Sequence, residues 1–169
     1  DKFNYHNFPK AWENSKGSSD IIVAIVDGGV NYTHPELNEN IWINQDEIPS
    51  TTFTQADQYG NGEVTAPEIL AYLQDHGADY NGDNDITLED ALHEDSDFTD
   101  NSDTDKNDFI DDLFGWDFWE SGSNDQNITQ DNNPIHDATD HGTHVAGIAS
   151  AETNNGEGIA GAAYNATYM

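Results

Sequence analysis

An unbroken run of apolar residues, Ile21–Val26, stands out in the first part of the chain. Its branched side chains and lack of alternation predict a β-strand that is buried on both faces, as in a parallel sheet. The run ends at Asp27, with Gly28 and Gly29 directly behind it. Open α/β sheets place ligands and catalytic groups at the carboxyl ends of their strands. The pattern therefore predicts an α/β fold with Asp27 as a candidate site residue.

Two other segments have helical spacing. The small-residue segment that follows Asp140 carries two histidines and predicts a helix whose inward stripe consists of His141, Val145 and Ile148. A second, amphipathic helix is predicted where apolar residues cluster between positions 69 and 73, namely Ile69, Leu70, Tyr72 and Leu73. A chain of 169 residues has the length of one domain, or of one domain that carries a smaller insertion.

Charge and composition narrow the classes of function. The chain has 34 acidic residues, four lysines and a formal net charge of -30, which repels nucleic acid and anionic membrane surfaces. We therefore expect neither as a partner. The chain has no cysteine, so disulfides and thiolate zinc sites are excluded. It has no apolar run of membrane-spanning length and no signal peptide, so we expect any export leader to have been removed.

Acidic and amide residues recur at the spacing of calcium loops. A loop of the EF-hand type places oxygen ligands at positions 1, 3, 5, 9 and 12, a backbone carbonyl at 7 and a glycine at 6. The first match begins at Asp57 and has Gly62 at position 6, but Tyr59 at position 3 is a poor ligand. The expected ligands of this loop are Asp57, Asn61, Thr65 and Glu68.

A second loop follows the predicted amphipathic helix. Asn84 stands at its position 6, where Asn tolerates the positive φ that the turn needs. The expected ligands are Asp79, Asn81, Asp83 and Asp90, with Thr87 at position 9. Two loops in one register, joined by a helix, favour a calcium-binding insertion over an acidic surface loop, which is the alternative.

A third loop begins at Asp103 and lacks a ligand at position 12, where Phe114 stands. Asp112 is expected to support the loop from outside the ligand set. The expected ligands are the side chains of Asp103, Asp105, Asn107 and Asp111 and the carbonyl of Phe109. We expect this loop to bind calcium most tightly and the loop at Asp57 to bind it most weakly.

Two motifs carry a resemblance to a known family. Asp27-Gly28-Gly29-Val30 ends the predicted strand, and His141-Gly142-Thr143-His144-Val145-Ala146-Gly147 opens the predicted helix. This pair resembles the subtilisin-like serine peptidases, or subtilases, in which an acid follows the first core strand and a histidine opens a similar helix. Asn154–Gly161 is similar to the family's segment after that helix. Gly28 departs from the family, which usually has Ser or Thr there.

The resemblance implies a partial, parallel-sheet subtilisin-like core over residues 1–169, with a small helical calcium-loop insertion at 45–115. It implies that Asp27 orients His141, that His141 is the general base, and that His144 serves in packing. It also implies a secreted endopeptidase that acts on proteins or peptides. His34–Leu37 resembles the family's HPDL segment, so Glu36 matches an acid that helps to bind a structural calcium; a plain surface acid is the alternative.

The nucleophile of the family is not recognisable in this chain. None of its nine serines has the GTSMAxP surroundings of the subtilase serine, and Ser150 lies in the histidine helix itself. We therefore expect the chain to be the N-terminal part of a catalytic domain, inactive alone and completed by a C-terminal remainder that supplies the serine and the oxyanion-hole Asn.

Two other classes of function remain open. A non-enzymatic calcium module that binds a protein partner needs no serine and accounts for the charge. A zinc hydrolase that uses His141 and His144 is the second, but metal helices of the HExxH type space their histidines four apart with a Glu between them.

Overall fold

The computed structural model of the protein describes residues 7–119, 130–135 and 140–169. The chain divides into two compact units, the first formed by Asp1–Trp42 with Ala138–Met169 and the second by Ile43–Asp137. In chain order, the helices and strands are α1 (Phe8–Trp12), β1 (Ile22–Val23), α2 (Ser50–Ala56), α3 (Ala66–His76), α4 (His141–Ser150) and β2 (Thr167–Tyr168). Two 3-10 helices, Gln45–Glu47 and Leu88–Leu92, lie in the second unit. No helix in the described part of the chain is long and apolar enough to cross a membrane.

The first unit is built around a parallel pair of strands. β1 pairs with β2 so that Ile22 lies opposite Thr167 and Val23 opposite Tyr168. Ile41 forms a parallel bridge on the other side of Tyr168. The parallel arrangement agrees with the α/β prediction, and the sheet formed by the described residues is small.

The prediction that the apolar run is buried on both faces is wrong for this chain. Ile22 is exposed, and Val26 is 96% exposed. Among the described residues, β1 has one neighbouring strand, so the faces of the run have little to pack against. A run of branched apolar residues indicates what a strand is suited to bury, whereas the actual burial depends on the layers that cover it.

The predicted inward stripe of α4 is also wrong. Its buried residues are Gly142, Ala146, Gly147 and Ser150, whereas His141 and Ile148 are exposed. The reason is close approach, because a Cβ on Gly142 would overlap the carbonyl oxygen of Gly29. A helix that packs this closely presents its smallest residues to its neighbour.

The second unit has its own core around α3, which is the predicted amphipathic helix. Ile69, Tyr72 and Leu73 are buried on one face of it, and the ring of Tyr72 meets that of Phe98 edge to face at 5.2 Å. The helix ends at Gly77, whose φ of 62° is the left-handed conformation that commonly closes helices. This core holds α3 between the first two predicted calcium loops.

Candidate active site and calcium loops

Asp27 and His141 form a hydrogen-bonded pair in the first unit. Nδ1 of His141 lies 2.7 Å from Oδ2 of Asp27, although the two residues are 114 positions apart. The other carboxylate oxygen of Asp27 accepts the backbone N–H of Gly28 at 2.8 Å. These two contacts, that of Gly28 first, lower the pKa of Asp27. The Asp27 side chain is 20% exposed and that of His141 is 73% exposed, so the imidazole remains accessible.

Backbone features of both segments hold this pair together. Gly29 has a φ of 94°, in the left-handed region that favours glycine, and it turns the chain sharply behind Asp27. Gly142 lets α4 approach the Gly29 carbonyl, as described above. The hydroxyl of Thr143 accepts the backbone N–H of Asn31 at 2.9 Å. The Gly-Thr pair after His141 thus joins the helix to the turn behind Asp27.

This arrangement is suited to general base catalysis. The ionised carboxylate only accepts hydrogen bonds, so Nδ1 of His141 must donate, and Nε2 is then free to take a proton. Among the described residues, no serine forms a hydrogen bond with His141. Ser150 is buried, and its hydroxyl has no hydrogen-bond partner among the residues that the structure describes. The described part of the chain therefore contains an oriented base without a nucleophile beside it.

His144 is exposed, which differs from the packing role that the resemblance implies. The zinc alternative also receives no support, because Nδ1 of His141 is already occupied by Asp27. Within the described ranges, the one group of three or more His, Cys, Asp or Glu side chains close enough to hold a metal consists of carboxylates and contains no histidine.

The loop that begins at Asp57 has a closed network of hydrogen bonds. The Asp57 carboxylate accepts the N–H groups of Asn61 at 3.1 Å and Gly62 at 3.0 Å. At position 12, the carboxylate of Glu68 accepts the N–H of Tyr59 at 3.0 Å and that of Thr65 at 2.9 Å. The last acid of the loop therefore reaches back to positions 3 and 9. The ring of Tyr59 itself is exposed.

The loop that begins at Asp79 repeats this network. The Asp79 carboxylate accepts the N–H groups of Gly82 at 2.9 Å and Asn84 at 3.1 Å, and Asn84 has a φ of 70°. At position 12, the buried Asp90 accepts the N–H groups of Asn81 at 3.3 Å and Thr87 at 2.9 Å. Asn81 and Asp83 are joined side chain to side chain at 3.3 Å. Asp90 thus reaches the same positions, 3 and 9, as Glu68 does in the first loop.

The loop that begins at Asp103 obtains the same network from outside its own sequence. Asp103 accepts the N–H groups of Asn107 and Asp108, each at 3.0 Å. The carboxylate that reaches back to positions 3 and 9 is that of Glu47, which accepts the N–H groups of Asp105 and Asp111, each at 3.0 Å. Phe114, at position 12, is a buried apolar residue instead.

Glu47 is a functional candidate that the sequence reasoning missed. It lies 57 positions before Thr104, whose N–H it also accepts at 2.9 Å. Oxygens of Glu47, Asp103 and Asp105 all lie within 4.8 Å of one another. The sole clue in the sequence was the absence of an acid at position 12, which signals a missing ligand without locating its substitute.

The charge of the Glu47 carboxylate is poorly compensated by the residues that the structure describes. Its residue exposure is 1%, and burial raises the pKa of its carboxyl, with the neighbouring charge of Asp105 acting in the same direction. Three backbone N–H groups oppose this shift. Burial likewise raises the pKa of Asp112. Among the described residues, no lysine forms an ion pair with any of these acids.

The remaining residues predicted for the third loop have separate positions. The Asp111 carboxylate accepts the N–H groups of Asp100 and Asn101, each at 3.0 Å, and is not part of the carboxylate group around Glu47. Asp112 accepts the side-chain amide of Asn107 at 3.0 Å, and its supporting role in calcium binding stays a prediction. The ring of Phe109 lies 5.0 Å from that of Trp116.

Comparison with known proteins gives the family. The sequence profile of the Subtilase family, peptidase family S8, matches residues 18–169. A thermophilic serine proteinase of Bacillus sp. (strain AK1) is 28% identical over 155 residues, which are 92% of this chain and 18% of that protein. Thermitase of Thermoactinomyces vulgaris is 46% identical over 55 residues, 32% of this chain and 16% of thermitase.

The chain belongs to the subtilase family. It spans less than a fifth of the length of either curated relative.

Proposed function

We propose that this chain is the N-terminal part of the catalytic domain of a secreted subtilisin-like serine endopeptidase. Asp27 orients His141, and His141 is the general base for a serine hydroxyl that lies outside the chain. The observation that carries this proposal is the 2.7 Å contact between Nδ1 of His141 and Oδ2 of Asp27. Family membership over residues 18–169 supports the same reaction class.

The chemistry follows from the state of the imidazole. Nε2 of His141 takes the proton of the serine hydroxyl as its oxygen attacks the scissile carbonyl of a protein or peptide substrate. Asp27 stabilises the imidazolium that forms, and His141 then gives the proton to the leaving amine. The low pKa of Asp27 keeps it ionised throughout this exchange. Neither residue forms a covalent bond to the substrate, so the chain alone is expected to be inactive.

Complementation tests this proposal. The chain would be combined with the C-terminal remainder of its domain, and peptide hydrolysis would be followed with and without a serine-directed phosphonate. We expect activity only in the combined sample, inhibition by the phosphonate, and a loss of at least about 10⁴-fold for His141→Ala. His144→Ala is the matched control, because this exposed histidine lies one helical turn away. Hydrolysis by the chain alone that survives His141→Ala would contradict the proposal.

We further propose that segment 45–115 is an inserted calcium-binding segment with three sites. Calcium prefers carboxylate, amide and carbonyl oxygens, all three loops carry such groups at the spacing of calcium loops, and in the third loop oxygens of Glu47, Asp103 and Asp105 lie within 4.8 Å of one another. In the third loop, the ligands are Glu47, Asp103, Asp105 and Asn107 with the carbonyl of Phe109, and Asp111 takes part through its backbone N–H to Glu47. Bound calcium would supply the positive charge that the described acids lack.

The buried Glu47 carboxylate supports this assignment most directly. Taking a carboxylate out of water without a counter-charge is costly, and the cost grows when a second acid lies beside it. A divalent cation at Glu47, Asp103 and Asp105 would offset both the cost of burying the carboxylate and the repulsion between the acids. The equivalent reach of Glu68, Asp90 and Glu47 to positions 3 and 9 of their loops indicates that Glu47 replaces the missing acid at position 12.

Calcium titration tests the role of Glu47. The intact chain would be titrated by calorimetry, and tightly bound calcium would be counted by elemental analysis after gel filtration. We expect Glu47→Gln to remove one bound calcium, whereas Glu63→Gln, an exposed acid inside the first loop, leaves the count unchanged. The same count for Glu47→Gln and the unaltered chain would show that Glu47 is not a ligand.

A second candidate function is a non-enzymatic calcium module that binds a protein. The compact second unit with its own core favours it, because such a unit could act without the Asp27–His141 pair. The complementation experiment separates the two candidates. A calcium module would leave the combined sample without hydrolytic activity.

A further inference from the structure

Glu36 has an unusual environment in the first unit. Its position corresponds to the family acid that helps to bind a structural calcium, but the side chain is one methylene longer than Asp. It is 8% exposed and therefore buried. Both carboxylate oxygens contact a segment more than a hundred positions away, where Oε1 accepts the side-chain amide of Asn155 at 2.9 Å and Oε2 accepts the N–H of Ile159 at 2.8 Å.

The groups around this carboxylate do not suit a cation. Asn155 and Ile159 both direct hydrogen-bond donors at Glu36. Unlike Glu47, Glu36 belongs to no group of three or more His, Cys, Asp or Glu side chains that is close enough to hold a metal within the described residues. The side-chain oxygen of Asn155 is engaged by the N–H of Glu157 at 3.2 Å. The donor groups of Asn155 and Ile159 are suited to hold an anion, and the anion that they hold is the Glu36 carboxylate.

Steric evidence points the same way. Gly158 has a φ of 46°, and a Cβ built on it would overlap the carboxylate of Glu36. The carboxylate therefore lies directly on the backbone of residues 155–159. Glu has one methylene group more than Asp, and the extra C–C bond of about 1.5 Å extends the reach of its carboxylate towards this backbone.

The segment that Glu36 holds leads directly to the end of α4. The N–H groups of Gly161, Ala162 and Ala163 donate to carbonyls of Ala151, Ile148 and Ala149, at 3.0, 2.8 and 2.9 Å. These bonds satisfy carbonyls that the last turn of a helix otherwise leaves without partners. The backbone carbonyl of Glu36 also accepts the N–H of Glu152 at 2.9 Å. Glu36 thus fastens the C-terminal end of the helix that His141 begins.

We propose that Glu36 is a metal-independent fastener that takes the place of the family's calcium at this position. Its carboxylate joins the segment behind Asp27 to the segment behind α4. Hydrogen bonds to an ionised carboxylate are roughly twice as strong as neutral ones, which makes one side chain sufficient for this task. Glu36 is accordingly a positioning residue rather than a catalytic one. The calcium loops of the second unit play no part in it.

Hydrogen exchange of the Ile159 amide is the appropriate test, because this N–H donates directly to the Glu36 carboxylate. Exchange would be measured in the intact chain by NMR or peptide mass spectrometry, once with excess calcium and once with a chelator. We expect the Ile159 amide of the unaltered chain to exchange equally slowly in both. An amide of the second unit, such as Tyr59, serves as an internal reference for calcium binding elsewhere.

Three variants sharpen the test. In Glu36→Gln, the neutral amide should speed exchange at Ile159 by about tenfold or more in both conditions, since a hydrogen bond to a charged acceptor is lost. Glu36→Asp shortens the side chain, so exchange should be fast in chelator and slow again with calcium, which can enter the space created. Glu157→Gln, an exposed acid of the same segment, should leave Ile159 unchanged.

Two results would overturn the proposal. Calcium-dependent protection of Ile159 in the unaltered chain would mean that an ion binds beside Glu36 after all. Unchanged protection in Glu36→Gln would mean that the carboxylate does not hold the segment. Because the readout is local and needs no peptidase activity, either result leaves the proposed catalytic pair and the loops of the second unit unaffected.

Discussion

The two units contain two carboxylates in opposite electrostatic situations. Asp27 is paired with an imidazole and a backbone N–H, and its pKa is lowered. Glu47 is more completely buried, faces backbone N–H groups and another acid, and its pKa is raised. Both residues connect distant parts of the sequence. Among the described residues, Asp27 thus has a partner that can carry positive charge, and Glu47 does not.

The difference indicates which site depends on an external ion. A carboxylate with a titratable partner is stable in its ionised form and ready for proton transfer. A buried carboxylate beside like charges favours protonation, or a cation that offsets the charge. Glu47 and Asp112 of the second unit follow the second pattern, because burial raises the pKa of each carboxyl. We therefore expect stability to depend on calcium chiefly in the second unit.

Removal of calcium should have the largest effect. A ligand that binds only the folded state at 100 times its Kd adds about 2.7 kcal/mol per site to the free energy of unfolding. For a unit of under 100 residues, each kcal/mol corresponds to a melting shift of about 4–8 °C. Calorimetry in excess chelator should therefore show a melting temperature lower by ten degrees or more, on the order expected from these values. An unchanged melting temperature, with no calcium in the purified protein, would show that the stability of the second unit does not depend on calcium.

The next largest effect should be the difference in stability between variants of the third loop and variants of the first. Asp105→Ala removes a carboxylate that lies within the Glu47 group, whereas Asp57→Ala acts on a loop in which Tyr59 already supplies no ligand. In saturating calcium, we expect Asp105→Ala to lower the free energy of unfolding by about 2–3 kcal/mol, the value of one site, and Asp57→Ala by clearly less. Denaturant titration of both variants measures this difference. Equal losses, or a larger one for Asp57→Ala, would reverse the ranking.

The same comparison explains how much the sequence could predict. Asp27 and His141 were predictable because each stands in a distinctive motif, and the motifs occur together. The hydrogen bonds of Asp57 and Asp79 lie within single short segments, so a local sequence pattern can indicate such loops; that they bind calcium stays a prediction. Glu47 was not predictable, because its relation to Asp103 depends on how the chain folds back across more than fifty positions. A local pattern contains no information about such a pairing.

Burial was the least predictable property. The apolar run before Asp27 has the composition of a buried strand, yet Val26 is exposed because the described chain supplies one neighbouring strand for β1. In α4, hydrophobicity indicated Val145 and Ile148 as the inward residues, while close packing selected Gly142 and Ala146. Residue size decided the packing face, and hydrophobic periodicity does not measure size.

A smaller effect should appear in the titration of Asp27. Because the N–H of Gly28 is the larger cause of its lowered pKa, His141→Ala should raise the pKa only part of the way to its ordinary value. Carboxyl NMR of labelled protein measures this shift, with His144→Ala as the control. Because the pKa of Asp27 is lower in the folded chain than in the unfolded chain, its ionised form stabilises the fold at pH values above the ordinary pKa. This stabilisation is lost as the pH falls through the pKa of the folded state. A full return to the ordinary pKa would show that His141 alone sets it.

The smallest effect concerns Tyr72 of the second unit, a neutral residue whose hydroxyl donates a hydrogen bond to an acidic side chain. Its hydroxyl donates to Asp97 at 2.9 Å, and burial raises the pKa of Tyr72 to about 12. Since the folded pKa exceeds the ordinary value of about 10, the stability that the neutral phenol provides is complete below pH about 10 and is lost as pH rises towards 12. Tyr72→Phe should therefore flatten the alkaline limb of the unfolding curve while costing about 1 kcal/mol at neutral pH for the lost hydrogen bond. Tyr59→Phe, at an exposed tyrosine, is the matched control. If the alkaline limb of the unfolding curve is equally steep in Tyr72→Phe and in the unaltered chain, groups other than Tyr72 cause it.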